Sequence, residues 1–186
     1  VVMDTELWNG IVGDKVREHF AQPALGLSPE QAIFSITQVP PQIFAGSMSH
    51  ARSVLYIDMD SVSRAHLKKN VYSEPQWVAV VKGRDHKELM ANVDSVATKA
   101  INAFKQLEIE ESQKRFTKSL NKESALEEEF GITMTIPSLY RVGKHEDNFV
   151  WMDRQIQKGT LNLLVYEMPS NSFENDSTFV SDIVAM

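Results

Sequence analysis

The chain contains no cysteine. This removes disulfides, thiolate catalysis and cysteine-ligated zinc together, and it leaves the redox compartment open. No apolar run approaches the roughly 18 residues that a membrane-spanning helix needs. Nor is there a dense basic tract: 19 Lys+Arg stand against 25 Asp+Glu, a formal charge of −6. Nucleic-acid binding needs clustered Lys and Arg to displace counterions, so that class is disfavoured. A phosphate-cradling glycine loop and a dinucleotide fingerprint are missing. Gly46-Ser47-Met48-Ser49-His50 lacks the second glycine that a nucleophile elbow requires and reads as a loop. No internal repeat and no low-complexity tract interrupts the sequence.

What is present is ordinary for a soluble globular domain. Of 186 residues, 42% are apolar and 24% charged, and this length fits one large domain or a tight pair. Val1-Val2-Met3-Asp4 reads as the end of a strand. Phe179-Val180-Ser181-Asp182-Ile183-Val184-Ala185-Met186 reads as an uncapped helical pattern. The chain is therefore expected to be a fragment of a longer one.

Asp4 can cap a helix whose apolar face is Leu7, Trp8, Ile11, Val12, Val16 and Phe20. Gly10 and Gly13 leave open one helix or two, with Asp14 capping the second. Strands are expected over 33–39, 53–59 and 76–82, and residues 64–72 fit either a strand or a short helix. Asp85 and Glu88 form a reciprocal capping pair. They start a helix with the stripe Leu89, Val93, Val96, Ala100, Phe104 and Leu107. The mixed-sign run 105–129 reads as the wet face of a helical hairpin, with a second capping box at Ser124 and Glu127 and a left-handed stop at Gly131. Strands follow at 132–136, 140–142, 149–156 and 161–167, the last two joined by a turn at Lys158 and Gly159.

Helices and strands do not alternate strictly, so the expected class is α+β: mixed, largely antiparallel sheets packed against one long helix or helical hairpin. An α/β portion over 1–130 is expected to be followed by a β-rich module over 131–186 that continues into a helix, packed with the first part as one unit.

The chemical candidates are few. An apolar strand ending in Asp58-Met59-Asp60 resembles the opening motif of haloacid-dehalogenase-type phosphotransferases. That resemblance implies Asp58 as nucleophile, Asp60 as acid/base and a bound Mg²⁺. The family's later Asp-Asp magnesium motif has no counterpart here. The histidines, His19, His50, His66, His86 and His145, form no metal-ligand spacing, and His145-Glu146-Asp147 points to alternating strand faces. No metal and no other cofactor is called for. Asn175-Asp176-Ser177 matches a glycosylation triplet formally. Phe149 and Trp151 share one strand face, Val150 and Met152 the other. This fits a strand buried on both sides, with an aromatic binding platform as the functional alternative. Asn121, Lys122, Asp147, Asn148 and Trp151 are the binding candidates, because they stand at element ends beside aromatics. Capping and turn roles would explain Asn121 and Asp147 equally well.

Several stretches carry a wider resemblance: Val2-Met3-Asp4 running into Glu6-Leu7-Trp8, Asn70 to Gln76, and Leu120-Asn121-Lys122-Glu123. Further on stand Phe130-Gly131-Ile132 with Ile136-Pro137, and Asp147 to Trp151. Together they resemble a bacterial domain-of-unknown-function family, number 4837, whose members look like envelope lipoproteins of Gram-negative bacteria. Gly26 to Glu30 departs from the Pro-rich, Gln-containing turn expected there. The resemblance implies a domain facing the periplasm or outer surface, held to the membrane only through a lipid anchor upstream of Val1. It supplies no catalytic residues. The function expected is a non-catalytic binding or assembly module whose partner is another envelope protein or an envelope polymer. The alternative is a Mg²⁺-dependent phosphohydrolase using Asp58 and Asp60.

Overall fold

Asp4 accepts a hydrogen bond from the Glu6 amide and starts α1 (Thr5–Asn9). In the computed structural model, which describes residues 1–25, 29–157 and 159–169, the chain breaks at Gly10 and restarts as α2 (Ile11–Phe20). Two helices form, then, but Gly10 and not Asp14 stands at the second start. Asp14 lies within the helix, paired with Arg17 at 2.7 Å. The chain divides into two compact units, Val1–Glu111 and Ser112–Met186, whereas the sequence suggested a change of character at 130/131.

The first unit is built on β1 (Ser53–Met59), β2 (Arg64–Lys69) and β3 (Trp77–Gly83). Their order is β1-β3-β2, with β1 parallel and β2 antiparallel to β3. Val2 adds a parallel bridge to β1 at Tyr56 and another to Val39. The expected strand over 33–39 does not form. Val39 alone makes a bridge, and Ile33, Phe34 and Ile36 instead pack against the core. Apolar content made that stretch look like a strand, but a ladder needs a partner edge along its whole length. Gly46–His50 is a short 3-10 turn.

Glu88 donates its amide to Asp85 Oδ1 at 2.8 Å, while its carboxylate accepts the Arg84 amide at 2.9 Å. The paired cap opens α3 (His86–Phe116), one long helix and not a hairpin. The whole stripe Leu89, Val93, Val96, Ala100, Phe104 and Leu107 is buried. Most of it meets Leu55, Ile57, Ala79 and Val81 on one face of the sheet, with Val12, Val16 and Phe20 of α2. Val54 and Val78 point to the opposite face and meet Val2 and Phe44. The sheet is thus apolar on both sides, which is why its parallel strands read as nearly continuous apolar runs.

The second unit holds α4 (Ala125–Phe130) and the antiparallel sheet β4 (Arg141–Glu146), β5 (Phe149–Ile156), β6 (Gly159–Tyr166), in that order. Gly131, at φ +63°, ends α4 in the left-handed conformation as expected. The second capping box does not form. Ser124 precedes α4 without capping it and its hydroxyl turns to Glu128. Residues 132–136 are not a strand either. Val150 and Met152 are buried against Leu126 and Ile136, while Phe149 and Trp151 are only half-buried. Full burial of apolar side chains in β5 is therefore one-sided, and on the other face it is Asp153, paired with Arg141 at 3.2 Å, that is buried. The expected helix over 179–186, the Asn175 triplet, Gly26 to Ser28 and Lys158 lie outside the described residues.

Candidate functional site

Asp58 and Asp60 flank the end of β1, and the β1–β3 register sets Asp58 opposite Lys82. The Lys82 ammonium reaches past Asp58 to Asp60 Oδ2, and Asp60 Oδ1 also accepts the Val62 amide and the Ser61 hydroxyl, both at 3.2 Å. The bond from Lys82, helped by that from Val62, holds the Asp60 carboxyl down at about 2. Asn92 of α3 fixes the arrangement by donating to Lys82 C=O and Ser63 Oγ, each at 2.8 Å. A carboxyl so placed stays ionised at neutral pH and has no proton to give a leaving group. No group of three or more His, Asp or Glu among the described residues could hold a metal ion.

The binding candidates fall into three places in the second unit. Asn121 and Lys122 border a cleft of about 260 Å³ with Ser124, Leu126, Met134 and Met152. Both ends of the Asn121 amide are occupied: Nδ2 donates to Tyr140 C=O at 2.6 Å and Oδ1 accepts the Glu123 amide at 2.7 Å. Lys122 is exposed at the rim. Asp147 and Asn148 form the two-residue turn between β4 and β5, Asn148 at φ +61°. The Asn148 amide donates to Glu129 at 2.6 Å, and His145 Nε2 lies 3.2 Å from the same carboxylate. The amide first, then the imidazole, lowers the Glu129 carboxyl below its ordinary range.

Trp151 occupies a third place, the outer face of the sheet. Register and alternation put Phe149, Trp151, Leu164 and Tyr166 on this face, with Leu164 53% exposed. Lys144 and Glu146 of β4 stand across from Trp151 and Phe149. The indole Nε1 donates to Asn162 Oδ1 at 3.0 Å. At the bulge between Val142 and Lys144, a Cβ on Gly143 would lie 3.3 Å from the Trp151 ring and 3.1 Å from Asp153 Oδ2. Gly143 therefore lets the indole lie close against β4, a contact with no signature in the sequence.

Sequence reasoning also missed an apolar cavity of about 340 Å³ in the first unit. Phe20, Phe34, Phe44, Met48, Val54 and Phe104 line it, with Val1 at one end. Its only signal was the surplus of aperiodic apolar residues between Ile33 and Met48.

No curated protein and no solved structure matches the chain. Two family models do. The first, described as Domain of unknown function (DUF8532), matches residues 1–117, and the second, Domain of unknown function (DUF4837), matches residues 119–186. Leu120 to Glu123, Phe130 to Ile132, Ile136-Pro137 and Asp147 to Trp151 fall within the second match, whereas Val2 to Trp8 and Asn70 to Gln76 fall within the first. The chain accordingly belongs to the DUF8532 family through its first 117 residues and carries a DUF4837 region after them.

Proposed function

We propose that the chain is a non-catalytic binding or assembly module of the bacterial envelope, and that the outer face of its second sheet makes the contact. The observation that carries this reading is the half-buried Trp151, held by Asn162 and flanked by Phe149, Leu164 and Tyr166. A contiguous aromatic face rimmed by polar groups marks interaction surfaces more often than solvent-facing sheet. Its partner is another envelope protein or an envelope polymer. The envelope address, with an anchor upstream of Val1, rests on the family resemblance alone. The pairing of Asp60 with Lys82 speaks against the phosphohydrolase alternative.

Two measurements test the proposal. Trp151→Ala should lower retention on immobilised peptidoglycan or solubilised envelope proteins about tenfold, the scale of one aromatic anchor. Asp58→Asn should change neither retention nor the background rate of phosphate-ester hydrolysis, and Mg²⁺ should not raise Tm. Mg²⁺-dependent turnover that disappears in Asp58→Asn would restore the enzyme reading.

A further inference from the structure

The cavity of the first unit has a shape that a small-molecule pocket does not need. Along β1, the parallel register with β3 directs the backbone groups of alternate residues to β3, as Trp77 N–H to Arg52 C=O at 2.8 Å shows. Ser53, Leu55 and Ile57 therefore direct theirs to the opposite edge. There Val2 donates to Leu55 C=O and accepts from Ile57 N–H, both at 2.8 Å. The next two groups on that edge, Leu55 N–H and Ser53 C=O, have no backbone partner among the described residues. Both residues line the cavity, and the buried Ser53 hydroxyl is also without a partner.

The facing wall continues the same pattern. Val39 donates to Val1 C=O at 2.8 Å, Met3 donates to Val39 C=O at 3.1 Å, and the Val1 nitrogen reaches Thr37 C=O at 2.7 Å. Ser35 and Thr37 line the cavity. The cavity is thus a slot between two backbone edges, collinear with Val1–Met3, with hydrogen-bonding groups spaced for a strand.

We infer that this slot is a strand site, fitted to extended polypeptide joined directly ahead of Val1 and running parallel to β1. The residue immediately before Val1 shares the parity of Val2, so it donates to Ser53 C=O and accepts from Leu55 N–H. The residue before that accepts from Thr37 N–H. Side-chain parity follows. The first points with Val2 toward Val54 and Phe44, the second with Val1 and Met3 toward Phe20 and Phe104. Both sides are apolar, so two consecutive apolar residues fit, as in a parallel strand buried on both faces. At about 340 Å³ the cavity is far larger than a single water needs, which leaves room for the side chains of two residues. Unpaired backbone groups facing an apolar space are costly, and a strand pairs them while filling the space. Supply in cis makes the pairing intramolecular and avoids the entropy of recruiting a free peptide.

The test fuses three residues ahead of Val1: Ser-Ile-Val, Ser-Gly-Gly or Ser-Asp-Asp. Amide hydrogen exchange at Leu55 and Tm are read for each and for the unextended chain. Ser-Ile-Val should slow Leu55 exchange at least tenfold and raise Tm by about 5 °C, and the other two should do neither. Equal exchange in the Ser-Ile-Val and unextended chains would overturn the inference, as would equal protection by Ser-Asp-Asp. The free peptide acetyl-Ser-Ile-Val-amide at 1 mM should give no protection. If it protected Leu55 as well as the fused segment does, the site would be one for a separate partner and the assignment in cis would be wrong.

Discussion

Gly13→Ala should lower the stability of the first unit by about 2–3 kcal/mol, although alanine normally stabilises a helix interior by about 1 kcal/mol over glycine. The reason is the close approach of the α1 backbone to Gly13 across the break at Gly10. A Cβ on Gly13 would sit 1.9 Å from the Trp8 carbonyl oxygen and 2.6 Å from its carbon. Both atoms are backbone, so no rotamer change relieves the overlap; α1 itself must move. That displacement disturbs the Arg17 guanidinium, which donates to Trp8 C=O at 3.2 Å and stacks 4.5 Å over the indole. It also shifts Leu7 and Trp8, which pack on the core. Overpacking of this kind costs about 1–3 kcal/mol and at times more, enough to reverse the propensity gain. A fall in Tm of about 10 °C is expected at the scale of a unit this size. Gly10→Ala is the control: its nearest neighbour would be Glu6 C=O at 3.3 Å, so its effect should stay within about 1 kcal/mol. A Gly13→Ala protein as stable as the parent would mean that the two helices are free to separate.

The sequence exposed the elements whose determinants are local. The apolar stripe and the Asp85–Glu88 pair identify α3 because caps and 3.6-residue spacing lie within one segment. β1 and β5 appear with the boundaries expected for them, since β-branched and aromatic residues fill each. Where partners are distant, the reading fails. Residues 33–39 carry strand composition, yet only Val39 meets an edge. Gly13 left only the choice of one helix or two, because its requirement is set by the Trp8 backbone across the break at Gly10. The disarming of Asp60 depends on Lys82, brought to it by a parallel register that no spacing announces. The cavity needs five segments at once: Val1–Val2, Phe20 of α2, residues 34–48, residues 51–55 and Phe104 of α3. Of the binding candidates, Asn121 was legible as a turn residue and proved to be tied into one. Trp151 was recognisable as one of two alternating faces, but only the pairing with β6 showed which face stays open.

Gln76 supplies the second large effect. It is 1% exposed and its side chain bonds three backbone groups, two of residues 49–51 and one at Tyr72, at the foot of the first sheet. Nε2 donates to Ser49 C=O at 2.8 Å and Ala51 C=O at 2.7 Å, while Oε1 accepts the Tyr72 amide at 2.9 Å. Its own amide donates to Asn70 Oδ1, and Asn70, held at φ +52°, donates back to Gln76 C=O, each at 2.9 Å. Gln76→Ala removes the side-chain set and leaves two carbonyls and an N–H without partners. Each such orphan costs about 1–3 kcal/mol when water cannot reach it. Water can follow into so large a gap, so the expected total is about 3–4 kcal/mol. Gln76→Leu separates polar fastening from volume: it fills the space but cannot bond, and should cost nearly as much. Gln76→Glu keeps an acceptor for Tyr72 and sets a carboxylate against the Ser49 and Ala51 carbonyls, so it should be no better. Urea unfolding of the three variants measures the series. A Gln76→Leu protein within 1 kcal/mol of the parent would show that packing, not hydrogen bonding, joins the 49–51 and 70–76 segments. The consequence reaches beyond stability. Ala51 leads directly into β1 and lines the cavity, so releasing it should also speed amide exchange at Leu55, on the edge proposed to take a strand.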